Sequence, residues 1–202
     1  MRRNNVLFAA LAAALTIGTV AVAAEDGHQR LQQSGRRANH EDAAESAWAL
    51  GARVAPADAA AAAERAANGR AAKLSMEAEH GTPVYEIKVV AGDRVLSVKI
   101  DPATGAVLET EREGLLARLF DAEDDDEVKA VLAAPTTLSQ AITAAEHLAG
   151  GGRAVDATWE GERRMRGYAV EVVQAGGGIV RTFVDAASGQ AHWASPKRGG
   201  ER

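Results

Sequence analysis

"GRAAKLSMEAEHGTPVYEIKVV", Gly69 to Val90, stands 83 residues ahead of "GRAVDATWEGERRMRGYAVEVV", Gly152 to Val173. At that one offset Gly69 meets Gly152, Arg70 meets Arg153, Met76 meets Trp159 and Tyr85 meets Tyr168. One extra residue in "QAGGG" then moves the offset to 84, where "VKIDPATGAVLET", Val98 to Thr110, meets "TFVDAASGQAHWA", Thr182 to Ala194. A single insertion at a glycine-rich tip is what two copies of one hairpin tolerate. The chain is a tandem repeat, and each copy can be read against the other.

Inside a copy the pattern is strand-like after a helical start. Leu74, Met76 and Ala78 point one way while Lys73, Ser75 and Glu77 point the other; Tyr85, Ile87 and Val89 alternate with Glu86 and Lys88, and Leu96, Val98 and Ile100 with Ser97 and Lys99. Ahead of the strands, "TLSQAITAAEHLAG" opens on Thr137 with Gln140 three residues on, the signature of a capping box. The matching "PADAAAAAERAANG" starts on proline, ends on Asn68-Gly69 and offers only alanine to a core. The expected fold class is α+β: two tandem small modules, each a helix packed on an antiparallel β-sheet. Tyr85, Tyr168, Met76 and Trp159 are the expected module core. On the outward register of the second copy Phe183 replaces Lys99 and Ile179 stands where Val95 stands, which predicts a buried contact there, between the two units.

The expected boundaries are a signal peptide at 1–24, a linker with a short helix at 25–53, modules at 54–110 and 137–195, an acidic amphipathic linker at 111–136 and a tail at 196–202. Trp48 and Leu50, in the helix-like "HEDAAESAWALGAR", are candidates for the volume that the alanine helix lacks. "MRRNN", an apolar run and Ala21-Val22-Ala23 form an export signal, with cleavage expected after Ala23 or Ala24; the alternative is an uncleaved anchor, because Val6 to Ala24 is long enough to span a bilayer. Cleavage leaves 21 basic against 28 acidic side chains, a formal charge of −7. That sign argues against nucleic acid and anionic membrane surfaces as partners. The chain has no cysteine, so no disulfide, thiolate site or N-terminal lipid attachment is available to it.

The ordered set of helix, glycine, strand, "YEIKVV" or "YAVEVV" strand, and a closing "VKIDPATGAVLE" or "TFVDAASGQAHW" resembles the PepSY family, twice over. The resemblance implies small α+β modules of exported bacterial proteins, found also in the propeptides of thermolysin-like metallopeptidases. It further implies an inhibitory or folding-assisting role toward peptidases.

The repeated Asp-x-x-(Thr/Ser)-Gly stretches look at first like a site. An Asp at the start of a turn accepts hydrogen bonds from amides two residues on, and Gly105 or Gly189 takes a positive φ, so Asp101, Gly105, Asp185 and Gly189 are read as structural turn residues. Calcium needs about six to eight oxygen ligands, and each loop offers one carboxylate and one hydroxyl. In "DAEDDDE", Asp121 to Glu127, the weak metal candidates are Asp124, Asp125 and Asp126, but the run lacks the ligand spacing of a dedicated loop and reads as a solvated linker. The five histidines show no ligand spacing, no serine sits in a Gly-x-Ser-x-Gly elbow, and "AGGGIV" is a hairpin tip rather than a phosphate loop. The expectation is a non-enzymatic periplasmic protein without cofactor that binds an exported protein or peptidase through its sheet face or edges. Two alternatives stay open: a cation-binding or envelope-sensing protein using the acidic linker, and a purely structural interaction module.

Overall fold

In the computed structural model, which describes residues 43–113, 125–162 and 165–194, the alternating stretches form the strands of one sheet. β1 (Arg70–Glu79) turns into β2 (Thr82–Ala91) through His80 and Gly81, both at positive φ (51° and 81°), the pairing that suits a two-residue hairpin. β3 (Arg94–Ile100) and β4 (Val107–Glu113) continue the antiparallel meander. The second copy repeats it as β5 (Arg153–Glu162), β6 (Met165–Val173), β7 (Ile179–Asp185) and β8 (Ala191–Trp193).

Two helices precede each meander. α1 covers 43–51 and α3 is Asp125–Ala133, an offset of 82 residues, so the repeated unit begins with a helix inside each segment that the sequence reads as linker. Trp48 of α1 is half-buried against the core while Leu50 is exposed. α2 (Pro56–Ala67) carries its proline in the first turn, Asp58 near its positive end, and Asn68 in the left-handed conformation as C-cap. It buries Ala57, Ala59, Ala60 and Ala63. α4 (Leu138–Leu148) has the complete capping box: Gln140 N donates to Thr137 Oγ1 at 3.1 Å and Thr137 N to Gln140 Oε1 at 2.9 Å. Its buried face is Leu138, Ala141, Ile142 and Ala145. α2 and α4 pack on each other and on one face of the sheet, which small alanine faces permit at close range.

The eight strands form a single sheet in the order β4-β3-β2-β1-β5-β6-β7-β8. At its centre β1 and β5 run antiparallel with Leu74 opposite Ala157, Lys73 opposite Thr158 and Ser75 opposite Asp156. Leu74 and Ala157 are equivalent residues of the two copies, and the flanking pairs exchange equivalents, so a local two-fold axis passes through the Leu74–Ala157 pair. The junction thus has the self-complementary form of a symmetric dimer interface, built within one chain. A bulge interrupts β1 after Ala71 and β5 after Ala154, again equivalent positions. The core is continuous across the junction: Leu74, Met76, Tyr85 and Ile87 of the first copy belong to the same buried cluster as Ala157, Trp159, Tyr168 and Val170 of the second.

Candidate interaction surface

The repeated turns close on themselves. Asp101 Oδ1 accepts from Ala103 N at 2.8 Å and Oδ2 from Thr104 Oγ1 at 2.7 Å. Asp185 Oδ1 accepts from Ser188 Oγ and N, both at 2.7 Å, and from Ala187 N at 3.1 Å. The hydroxyls of Thr104 and Ser188, followed by these amides, hold the two carboxyls below the usual aspartate range. Gly105 and Gly189, at φ 75° and 71°, return N–H groups to the Asp101 and Asp185 carbonyls at 2.8 Å.

Each turn also anchors the segment before its helix. Pro102 O accepts from Arg53 N and Val54 N, and Ala186 O accepts from Thr136 N. The tyrosines bind the same segments from below, with Tyr85 Oη donating to Val54 O at 3.0 Å and Tyr168 Oη to Thr136 O at 3.1 Å. Burial pushes both phenols up, Tyr168 to about 12 and Tyr85 further. Turn, tyrosine and helix entry form one fastening, used twice, and its polar groups are spent on one another.

What the helices leave open is the other face of the sheet and its two ends. On the helix-free face of the first copy, Glu86 Oε1 accepts from Lys88 Nζ at 2.5 Å and from Ser97 Oγ at 2.7 Å. Burial works to raise the Glu86 pKa, but the hydrogen bonds from Lys88 and Ser97 prevail and bring it to about 2. Neighbouring Glu77 moves the other way, raised first by burial. Lys99 joins Glu79 and Glu109, each at 2.8 Å, and those contacts, Glu109 foremost, hold its ammonium above the usual lysine range. Across the junction Asp156 is raised by burial, with the Thr158 hydroxyl and Lys73 opposing. The first copy's face is therefore a ladder of satisfied charges.

The second copy's face is more apolar. Phe183 lies half-buried over Gly167, where an added Cβ would stand 2.6 Å from the phenyl Cζ, so the ring fills the space that the glycine leaves on the neighbouring strand. Ile179, at the start of the same strand, is 43% exposed. The two ends of the sheet differ as well. β4 is seven residues long, carries Glu109, Glu111 and Glu113 opposite Lys99, Ser97 and Val95, and has a register shift between Lys99 and Ile100. β8 is three residues long and ends on Trp193, which is 56% exposed. Charge, bulge and shortness are the usual protections of a sheet edge.

The PepSY family, described as "Peptidase propeptide and YPEB domain", matches residues 53–111 and again 136–191. The chain belongs to the PepSY family. A crystal structure of a "putative lipoprotein" from Clostridium difficile 630 is similar over 70% of this chain and 91% of that one, at 20% identity and a TM-score of 0.39. That likeness is too distant to bear on function. No curated protein matches the chain.

The two PepSY matches begin where the Tyr85 and Tyr168 hydroxyls are caught, one residue before Val54 and at Thr136 itself, so each match spans a whole fastening. Trp159 meets Tyr168 edge-on, with ring centroids 5.2 Å apart and planes at 80°; Met76 faces Tyr85 at the same cross-strand position of the first module. Such an aromatic pair contributes about 0.5–1.5 kcal/mol beyond the area it buries. Phe183 and Ile179 take no part in the junction between the PepSY modules, which runs through β1 and β5 on one side and α2 and α4 on the other. The physical reason is that Phe183 already has a partner, Gly167, within its own module. Of the acidic run, Asp126 accepts from Lys129 at 3.4 Å, while Asp124 and the side chain of Asp125 lie outside the described residues. Among the described residues no three His, Cys, Asp or Glu side chains group as metal ligands, and no helix is long and apolar enough to cross a membrane.

The sequence reading missed the junction quartet of Lys73, Ser75, Asp156 and Thr158 and the Leu74–Ala157 pair between them. One signal pointed there. The closing strands carry edge protection, "LETERE" in one copy and a proline soon after "AHW" in the other, whereas "AAKLSME" and "AVDATWE" carry little, as strands destined to be paired on both sides do.

Proposed function

We propose that this PepSY protein is exported and acts by binding, without catalysing a reaction, and that its ligand is an extended segment of another exported protein, an envelope peptidase being the partner class the family description favours. The observation that carries this reading is the one-sided architecture: a sheet of eight strands covered by helices on one face, with the other face free of helices and bounded by a guarded β4 and a three-residue β8. Strand addition obtains affinity from main-chain hydrogen bonds and specificity from alternate side chains. The turns and tyrosines serve as scaffold, because their donors and acceptors are satisfied within the fold.

The test is cross-linking of the protein in periplasmic extract, followed by a fluorogenic peptide assay on any captured peptidase. A several-fold change in the rate of that peptidase on stoichiometric addition supports the reading. Capture of a peptidase whose rate is indifferent removes the modulatory part, and capture of no exported protein leaves the molecule as a structural module.

A further inference from the structure

On the helix side of the sheet the two copies differ at one corner. The offset of 82 that relates α1 to α3 also relates Val54 to Thr136, whose carbonyls are caught by Tyr85 and Tyr168, and it matches buried Ser46 with Val128 and buried Ala49 with Val131. At that offset Trp48, half-buried against the core, answers to Ala130. Two more rings are lost nearby: Pro83 answers to Arg166, and Pro102 to Ala186. One exchange runs the other way, Met76 to Trp159, but that indole is turned edge-on against Tyr168 with ring centroids 5.2 Å apart. The second module therefore carries less bulk at this corner than the first.

What remains there is a cavity of about 540 Å³ between the end of α3, the β5–β6 hairpin and the Asp185–Gly189 turn, a volume in the usual range for a small-molecule pocket. Ala130, Ala133 and Ala134 of α3 and Ala186 of the turn form small apolar walls, and Trp159 adds an aromatic surface. A cation and an anion also line it, Arg166 and Asp185. Arg166 is exposed and shares a face with Trp159, because its cross-strand partner is Gly161, two residues beyond the tryptophan. Asp185 takes all three of its turn contacts on Oδ1, which leaves Oδ2 as a surplus acceptor; Asp101 spends both oxygens, Oδ1 on Ala103 N and Oδ2 on Thr104 Oγ1.

We propose that this cavity binds a free aromatic amino acid, with its ring between the alanine walls and the Trp159 indole, its carboxylate at Arg166 and its ammonium at Asp185 Oδ2. The ring is assigned from the first module, whose α1 carries an aromatic side chain, Trp48, at the position where α3 offers only the Ala130 methyl. Alanine walls beside an indole suit a flat ring, which packs offset or edge-on against it. The zwitterion is assigned from the charges: a ligand with one charge alone answers either Arg166 or Asp185 and is repelled by the other's like sign or leaves it unmatched. The site goes beyond the binding reading above and does not depend on it.

The probes are L-tryptophan, tryptamine, which lacks the carboxylate, and indole-3-propionate, which lacks the ammonium. Each is titrated into the protein by isothermal calorimetry, and its site is located by NMR chemical-shift mapping. The expected result is saturable binding of tryptophan with shifts at Ala130, Ala133, Trp159 and Ala186, and affinity roughly ten-fold or more lower for either analogue. Arg166→Gln should weaken tryptophan to the level of tryptamine and leave tryptamine itself unchanged. Ala130→Trp, which gives α3 the side chain that α1 carries there, should abolish binding while melting no lower than the wild type. Full tryptophan affinity in the folded Ala130→Trp variant, shifts confined to other surfaces, or no binding of any probe overturns the site. An analogue that binds as tightly as tryptophan overturns the zwitterion assignment. Should Ala130→Trp fail to fold, the shift map and the paired Arg166→Gln titrations decide by themselves.

Discussion

The first module ends in seven residues of charged, bulged β4; the second ends in three residues of β8 beside an exposed tryptophan. Some twenty to forty residues upstream the two are nearly superposable in their chemistry, with the same tyrosine fastening, the same bulge and equivalent residues facing each other across the junction. The copies have thus kept what each needs to close its core and to pair with the other. They have diverged where packing imposes least, at the outer strands and on the helix-free face. In a fold that is a fused pseudo-dimer, the retained half of the surface is architecture, and the outer strands and helix-free face are where the two modules can be told apart.

The comparison breaks most severely at its axis. Leu74→Asp places an unpaired charge in a fully buried position shared by both modules, and a loss of more than about 4 kcal/mol is expected, enough to abolish cooperative thermal unfolding by circular dichroism. Ala157→Asp should do the same, because it is the equivalent residue on the other strand; a variant that melts near the wild-type temperature would show that the junction is not shared. Next comes the core pair. Trp159→Ala should cost about 3–5 kcal/mol and Met76→Ala about 2–5 kcal/mol in urea unfolding, with the tryptophan the more expensive since it also forfeits the edge-on contact with Tyr168.

The fastenings should behave alike in both copies. Gly105→Val is expected to cost about 1–2 kcal/mol for a β-branched residue at φ 75°, with Gly189→Val similar at φ 71°. Neutrality of either in stability, combined with loss of partner binding, would turn the turn from scaffold into site. Tyr85→Phe and Tyr168→Phe should each cost about 1 kcal/mol, leaving the carbonyls of Val54 and Thr136 without their hydroxyl partner.

The smallest effect is a pH signature that separates the junction from the turns. Asp156 has its pKa raised by burial, so the folded state holds its proton to higher pH than the unfolded chain, and its contribution to stability falls as pH rises from the ordinary value of 3.8 through the raised one. Asp156→Asn should accordingly raise the melting temperature at pH 7, and the gain should vanish in acid below 3.8. Asp185 is lowered instead, so its contribution is present above the ordinary value and lost as pH falls through the folded one. Asp185→Asn should lower the melting temperature at pH 7, and a shift of the same sign for both variants would refute the assignment.

Much of this was legible because it is local. Thr137 and Gln140 announce a helix start by their spacing alone, Asp101 and Gly105 announce a turn by the backbone angles that they favour, and the period of two from Lys73 to Glu79 assigns each side chain to a face. Phe183 shows where local reading stops. An apolar side chain on an outward register demands a partner, and only the pairing of β6 with β7, which brings Gly167 and Phe183 together on one face, identifies it. Helices α1 and α3 stood at the margin, since alanine and acidic residues fill their sequences and burial of Ala49, Val128 and Val131 is what fixes them.

The sequence by itself determined two copies, their family, their order of elements and the self-contained nature of the repeated turns, because each of these follows from periodicity, spacing or backbone preference within a few residues. Tertiary structure alone decided that β1 meets β5 about a local two-fold axis, that one sheet of eight strands results, and that β8 pairs with β7 over only three residues. Those outcomes depend on which backbone donors and acceptors remain after each module has closed, and no single strand carries that information.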